Sequence, residues 1–465
     1  MAVSWHPEDG GAPLTHRLVR DALGRLTEKH TPDGITRYDW LLSDALASIA
    51  HVPAHVIGRP DEAATYTLAY EYDRLGRLTV ERSPQATLRH AYDALGNRVA
   101  TTLPDGRSIN HLYYGSGHLH QINIDGTVIS DFERDALHRE VSRSQGALLQ
   151  ESTWDATGRL HTRASRRKEY SAVQPAELEK RYEYDRADNL IRRLRTSGLR
   201  ANPWQRTTRA TQLHYDAAGR ITGCEDGTHR ETFAWDAAAN LLDTGQVRAS
   251  VRNNRILSHG DRRYRYDAFG RMAEKRLGDR CTQFFRYDAE QRLCELRLVR
   301  PSQSERICFE YDPLGRRIAK QVFDEFDQPV RRTEFLWDGI RLLSEQTQQL
   351  PQRLYIYRAP DSYEPLACVD GLNTDQVFYY QNDVSGLPEE LTDSAGEVVG
   401  RRSSRCGAIR CASIGHSPSA SPRIYASRAS ISTARPDSTT TPSVTSIRTS
   451  AHGRARAAIW TTASA

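Results

Sequence analysis

The chain repeats one short motif, aromatic-x-Tyr/Trp-Asp-x-x-Gly-Arg/Asn-Leu, from near its start to about residue 340. It reads intact or nearly so at residues 70–78, 264–271 and 309–316. Its aspartate falls at Asp73, Asp93, Asp135, Asp155, Asp185, Asp216, Asp236, Asp267, Asp288, Asp312 and Asp338, with a degenerate copy at residues 113–119. The recurring step is 20 or 21 residues, lengthened to 30 or 31 at three places. A unit this short cannot enclose a core of its own, so it has to bury its apolar face against its neighbours in a stacked array.

Within a unit the aromatic residues stand two apart, as in Tyr182/Tyr184, Phe233/Trp235 and Tyr264/Tyr266, which puts both rings on one face of a strand. The aspartate opens a turn by accepting a backbone N–H two residues on, and the glycine three positions later takes positive φ. The turn residues are Asp73 with Gly76, Asp93 with Gly96, Asp155 with Gly158, Asp216 with Gly219, Asp267 with Gly270 and Asp312 with Gly315. The glycine position holds His138, Asp188, Ala239 and Gln291 in four further copies, and the corners at Ala239 and Gln291 are expected to use a different turn. A second turn signal, as at residues 31–34 and 103–106, gives each unit two turns and two strands. The expected fold is all-β, an extended antiparallel array. Residues 40–50 alone carry a short-helix pattern. Polar insertions at about 166–181, 199–212 and 248–262 are expected as loops or longer hairpins.

Charge narrows the partners. The net formal charge is +5, but residues 401–465 hold ten Arg, no Lys and a single acidic residue, Asp437, for +9, leaving −4 on residues 1–400. A mildly acidic body is not a groove for phosphates, so no nucleic-acid partner is expected. Seven scattered cysteines without a C-x-x-C pair fit buried or incidental thiols better than a disulfide framework or a zinc site. The first residues show no Sec-type signal, and no apolar run is long enough to span a bilayer.

Chemistry-bearing motifs are absent: no G-x-S-x-G elbow, P-loop, H-E-x-x-H or dinucleotide fingerprint occurs, so the chain is read as no enzyme with no catalytic residue. The corner aspartates match neither an EF-hand loop nor a calcium-binding nonapeptide repeat, so neither metal nor cofactor is assigned. Aromatic stripes can stack on sugars, which makes a carbohydrate-binding surface module the rival reading. Paired rings in strands more often pack on the neighbouring strand.

The motif resembles the YD repeat of the bacterial Rhs family and the related teneurin and insecticidal toxin-complex proteins, over about residues 19–400. A second block, Tyr379-Tyr380-Gln381-Asn382-Asp383 through Gly386-Leu387-Pro388 to Gly396, looks like the start of that family's core segment, with Val384 and Ser385 in place of its His-Leu. The resemblance implies a spiral β-cocoon shell that encloses a C-terminal toxin. An immunity protein and a secretion apparatus, or display at the cell surface, would go with it. It divides the chain into a repeat array at 1–370, the start of the core at 371–400 and a tail at 401–465.

The tail breaks from that pattern. Ser, Thr, Arg and Ala supply 44 of its 65 residues without hydrophobic periodicity, the composition of a disordered segment. Residues 424–451 also match the family's next core segment written in GC-rich codons and read one nucleotide late. The tail is therefore expected to be an out-of-frame translation, and the chain an incomplete shell lacking its toxin domain.

Overall fold

A computed structural model describes residues 1–57, 64–169, 175–199, 202–239, 241–242, 251–253, 255–259, 261–372, 376–405 and 408–412. Among them the chain is β-strand and turn, apart from one turn of 3-10 helix at Ala54–Val56. Strands pair antiparallel with their sequence neighbours, building one sheet of 20 strands over the first half, one of 15 over the second, and two short hairpins between.

The motif makes one end of each hairpin. At the corner after Tyr72, the Asp73 N–H donates to the Arg77 carbonyl at 3.0 Å and the Gly76 N–H to the Asp73 carbonyl at 3.0 Å, with Gly76 at φ +77°. Pairing slips between Glu71 and Tyr72, so that Tyr72 faces Leu78. This is a tight turn closed by a left-handed residue and a bulge, a twist that matches antiparallel strands. The same hydrogen bonds recur at Asp93, Asp155, Asp216, Asp267 and Asp312.

Two expectations need correction. Ala239 and Gln291 do not adopt another turn: their φ values are +61° and +64°, and their N–H groups donate to Asp236 and Asp288 at 3.0 Å. At Gln291 the Asp288 carboxylate and the closing pair to Arg292 outweigh a left-handed cost of about 1–2 kcal/mol. Residues 40–50 form no helix either. Strand Gly34–Trp40 meets strand Leu46–Pro53 through another copy of the corner, Leu41 standing for the aspartate and Asp44, at φ +62°, for the glycine. What looked like helical spacing was the end of one strand, a turn and the start of the next.

The insertion at 199–212 is a lengthened hairpin, strand Leu190–Leu199 pairing with Asn202–Tyr215. Those at 166–181 and 248–262 fall partly outside the described residues. The core block extends the sheet through Val377–Asn382 and Pro388–Thr392, with turns of the motif type at Asp383 and Asp393. A last hairpin pairs Val398–Arg405 with Ala408–Ala412. The remainder of the tail, 413–465, lies outside the described residues.

The two sheets touch in the same order along the chain, at sequence offsets that run from 273 down to 196. Arg255 meets Glu8, 247 positions away; Ala289 meets Asp33 at 256, Arg316 meets Glu81 at 235, Asp338 meets Arg98 at 240, and Gln381 meets Gln145 at 236. A sheet folded back on itself would pair early residues with late ones in reverse order. Contacts that keep the same order instead mean that the second sheet runs along the first in the same sense, as successive coils of a spiral do. The offset falls to 202 at Lys180–Asn382 and 196 at Arg193–Glu389, so the coil shortens toward its later end. The main core lies between the coils, with Leu88, Ile109, Ile122 and Phe132 packed among Leu354, Leu366, Val369 and Tyr379.

Candidate functional site

The corners line up, and their side chains join each one to the next. Asp73 Oδ1 accepts from the N–H groups of Leu75 and Arg77, both at 2.9 Å. Asp93, Asp155, Asp216 and Asp267 repeat both bonds, while Asp312 Oδ1 accepts from Arg316 N–H at 2.9 Å. The other oxygen takes the side chain four residues on, Arg77 Nε at 2.6 Å or Asn97 Nδ2 at 2.8 Å. These bonds hold the Asp73 and Asp93 carboxyls below the usual carboxylate range, chiefly the backbone N–H of Arg77 at the first and the Asn97 side chain at the second. Gly76, Gly96, Gly158, Gly219 and Gly270 all have φ between +74° and +89°, and Gly315 has +82°.

Two functions of the motif went unread in the sequence. The residue before the aspartate is a hydrogen-bond donor to the preceding unit: Tyr72 Oη donates to Leu46 O at 3.0 Å, Tyr92 to Leu78 O at 2.8 Å, Tyr184 to Leu160 O at 3.0 Å, and Tyr311 to Leu293 O at 2.8 Å. Trp40, Trp154, Trp235 and Trp337 make the equivalent bond through Nε1. Where Arg134 or Asn382 holds the position, its side-chain nitrogen does so at 3.2 and 2.8 Å. The legible signal was that Tyr and Trp interchange there, two rings that share an apolar body and a polar tip.

The arginine after the glycine reaches forward. Arg77 lies 4.9 Å over the Tyr92 ring and donates to Asp93 O at 3.0 Å; Arg159 does the same with Tyr184 and Asp185 O, and Arg292 with Tyr311 and Asp312 O. The corners at Asp73, Asp155 and Asp288 are thus held from behind by an aromatic donor and from ahead by a guanidinium, with about 1 kcal/mol per hydrogen bond and about 0.5–1 per cation–ring contact. Six of these arginine–aspartate pairs are partly exposed and gain little as ion pairs alone.

Where the coils meet, charge is buried. Asp338 accepts from Arg98 Nη1 and Nη2, both at 2.8 Å, and from Arg341, with buried His90 3.9 Å away. Arg98, His111, Asp338, Arg341 and Tyr355 line a narrow crevice there. Burial lowers His90 to about 4 and His111 to about 3, so both rings are neutral. Further along, Arg143 is fully buried between Glu140 and Glu364 at 3.6 and 3.7 Å, and Glu389 takes both Lys180 and Arg193. Each of these carboxylates faces a guanidinium group or a lysine, which suits a cross-coil clamp.

Among the described residues no group of three or more His, Cys, Asp or Glu is arranged to hold a metal, and no helix is long and apolar enough to cross a membrane. Cys281, Cys294, Cys308 and Cys368 are free thiols, with Cys368 buried. Tyr264 and Tyr266, one of the ring pairs of the aromatic stripes, are half-buried, and Tyr266 Oη donates to Ile256 O at 3.0 Å.

Comparison with known proteins agrees with this geometry. The teneurin YD-shell family model matches residues 179–331 and the RHS repeat model residues 72–108. The chain is 36% identical over 420 residues to the double-stranded DNA deaminase toxin A of Burkholderia cenocepacia, covering 85% of this chain and 28% of that protein. It is 27% identical over 441 residues to toxin protein Tse5 of Pseudomonas aeruginosa, covering 80% and 32%. A probable deoxyribonuclease, RhsB, of Dickeya dadantii is 29% identical over 299 residues, covering 60% and 20%. The chain thus spans a fifth to a third of the length of these curated relatives. Among solved structures, a TcdB2-TccC3-Cdc42 crystal structure superposes with a TM-score of 0.60 at 13% identity, covering 88% of this chain and 22% of that one. The repeats, the coiled array and the relatives together place the chain in the Rhs family of YD-repeat shell proteins.

Proposed function

We propose that this chain is a wall segment of a hollow shell that encloses a toxin, and that it performs no chemistry itself. The observation that carries the reading is the shared order of contacts between the two sheets, early residues with the start of the second sheet and later ones with its end, which supports a continuing coil of wall rather than a closed sandwich. The corner column and the buried clamps give such a wall rigidity, and relatives with the same repeats are named as toxins. In this reading the partners are an enclosed C-terminal effector, an immunity protein and a secretion apparatus.

The test is protection. The repeat array would be expressed within the longest reading frame of its locus, and the sequence downstream of residue 400 challenged with protease before and after mild denaturation. Shielding that is lost with the shell's own unfolding supports enclosure; equal cleavage in both states refutes it. A glycan-binding module is the weaker reading, because the corner rings spend their polar tips on neighbouring carbonyls. Glycan-array binding abolished by Tyr264→Ala with folding intact would restore it.

The tail belongs to the same proposal. The match of residues 424–451 to a shifted reading of the family's core segment supports reading them as an out-of-frame product. Sequencing the gene beyond codon 400, with mass spectrometry of the tail in the native protein, decides this: an intact single frame and a detected Ser/Arg-rich peptide would sink it.

A further inference from the structure

Histidines of the first coil stand along its contact with the second, whose residues 260–415 contain none. His16 Nε2 lies 2.8 Å from the Ala289 carbonyl, half-buried His51 faces Glu290 and Arg292, and buried His90 and His111 stand beside Asp338. Register explains the placement of the last two. His90 lies opposite Thr101, Thr101 opposite Ile109, and His111 is two residues further on, so all four side chains share the face that meets the second coil. Beyond residue 140 the seam is built differently: Gln145 bonds Gln381, Glu389 takes Lys180 and Arg193, and the one histidine on those strands, His161, is exposed.

The charged groups facing His90 and His111 are Arg98 from their own coil and Asp338 and Arg341 from the other. Both Asp338 oxygens are taken by the two guanidinium groups, and Glu81, the next carboxylate, is spent on Arg316. Tyr355 and Tyr357 are the other titratable groups of the crevice lining. His90 Nδ1 lies 3.2 Å from Thr101 Oγ1, while His90 Nε2 and His111 Nδ1 are buried with no hydrogen-bond partner among the described residues. No carboxylate is left to receive a protonated ring. Two guanidinium groups and one carboxylate make a net charge of +1, and protons on both rings raise it to +3 in a site shut off from water. Burial, with Arg98 and Arg341 adding to it, accordingly holds both rings well below the ordinary 6.5, and separation of the coils frees them to bind protons near that value.

We propose that this stretch of seam is an acid-operated joint: proton uptake by His90 and His111 parts the second coil from the first around Asp338, while the seam beyond residue 140 stays closed. Because the folded rings bind protons more weakly than the freed ones, the joint is at full strength above pH 6.5 and weakens as pH falls toward 4. The farther seam has no such response. There burial is outweighed by Arg358 at Glu364 and by Lys180 at Glu389, which keeps both carboxyls at about 2 and ionised over that range. The joint needs nothing from the enclosure reading; in a shell it gives the wall one place that acid opens.

The experiment is hydrogen exchange of the full chain, resolved by segment and corrected for the intrinsic pH dependence of amide exchange, from about pH 7 to about pH 4.5. Protection of strands Thr87–Tyr92, Ser108–Tyr114 and Arg341–Thr347 should fall about fiftyfold between about pH 6 and pH 5, roughly sevenfold from each ring. That of strands Leu178–Tyr184 and Pro388–Thr392 should hold. His111→Gln should leave about a sevenfold fall and His90→Gln/His111→Gln less than about threefold, a graded loss that packing alone does not produce. Protection that ignores pH in the parent, a fall of equal size in the farther strands, or a fall that persists in the double variant overturns the proposal. The first two outcomes are read on the parent, so they decide even if the double variant does not fold.

Discussion

Asp338→Asn removes the charge at the centre of the clamp between the coils while keeping the shape of the side chain. Burial pushes the Asp338 carboxyl up, but the bonds and charge of Arg98, with the charge of Arg341, outweigh that and hold it at about 2 against an ordinary 3.8. At about 1.4 kcal/mol per pH unit, the shift corresponds to roughly 2 kcal/mol in favour of the ionised, folded form. The substitution also leaves two buried guanidinium groups without their counter-charge, a loss of about 3–5 kcal/mol in comparable buried pairs. The expected effect is about 3 kcal/mol, felt where the coils meet. A long array need not unfold in one step, so the assay is hydrogen exchange resolved by segment. Amides of strands Arg98–Thr102 and Arg341–Thr347 should exchange roughly a hundredfold faster in Asp338→Asn. Those of strand Leu190–Leu199, far along the array, should not change. Arg98→Met should cost less when Asp338→Asn is already present. Acceleration below about fivefold, or equal acceleration everywhere, would refute the idea that this cluster clamps the coils.

Tyr311→Phe removes the donor to Leu293 O and should cost about 1 kcal/mol in local stability by the same exchange assay; no change would mean the corner ladder is packing alone. Gln291→Gly relieves a left-handed non-glycine and should raise the local opening free energy by about 1 kcal/mol, whereas a loss would show that its side chain holds the corner. Burial raises Tyr38, Tyr113, Tyr184, Tyr287 and Tyr311 to about 12, so the folded state holds their protons more tightly than the unfolded chain does. Stability should therefore be unaffected by these groups below pH 10 and fall as pH rises from 10 to 12; a flat alkaline profile of melting temperature contradicts their burial. His90 is lowered to about 4, so its contribution is present above pH 6.5 and lost as pH falls toward 4, and His90→Gln should flatten that part of the acid profile.

The sequence by itself determined the unit. Asp and Gly three apart, aromatics two apart and a 20-residue step are local rules of turns and strands, and the corners at Asp73, Asp93, Asp155, Asp216 and Asp267 repeat one set of bonds, with Asp312 keeping the one from Arg316 N–H. The misreadings share a cause. Leu41 and Asp44 break the motif's letters but keep its hydrogen bonds, and Gln291 takes a strained φ because neighbours on both sides impose it, so a residue-by-residue preference was outvoted by the array. Only the tertiary structure decided which coil lies on which. Arg98 finds Asp338 and Glu81 finds Arg316 across 240 and 235 positions, and no local spacing encodes a partner that distant. It is set by the accumulated twist and curl of many strands, a sum to which every hairpin adds a little and which no single one reveals.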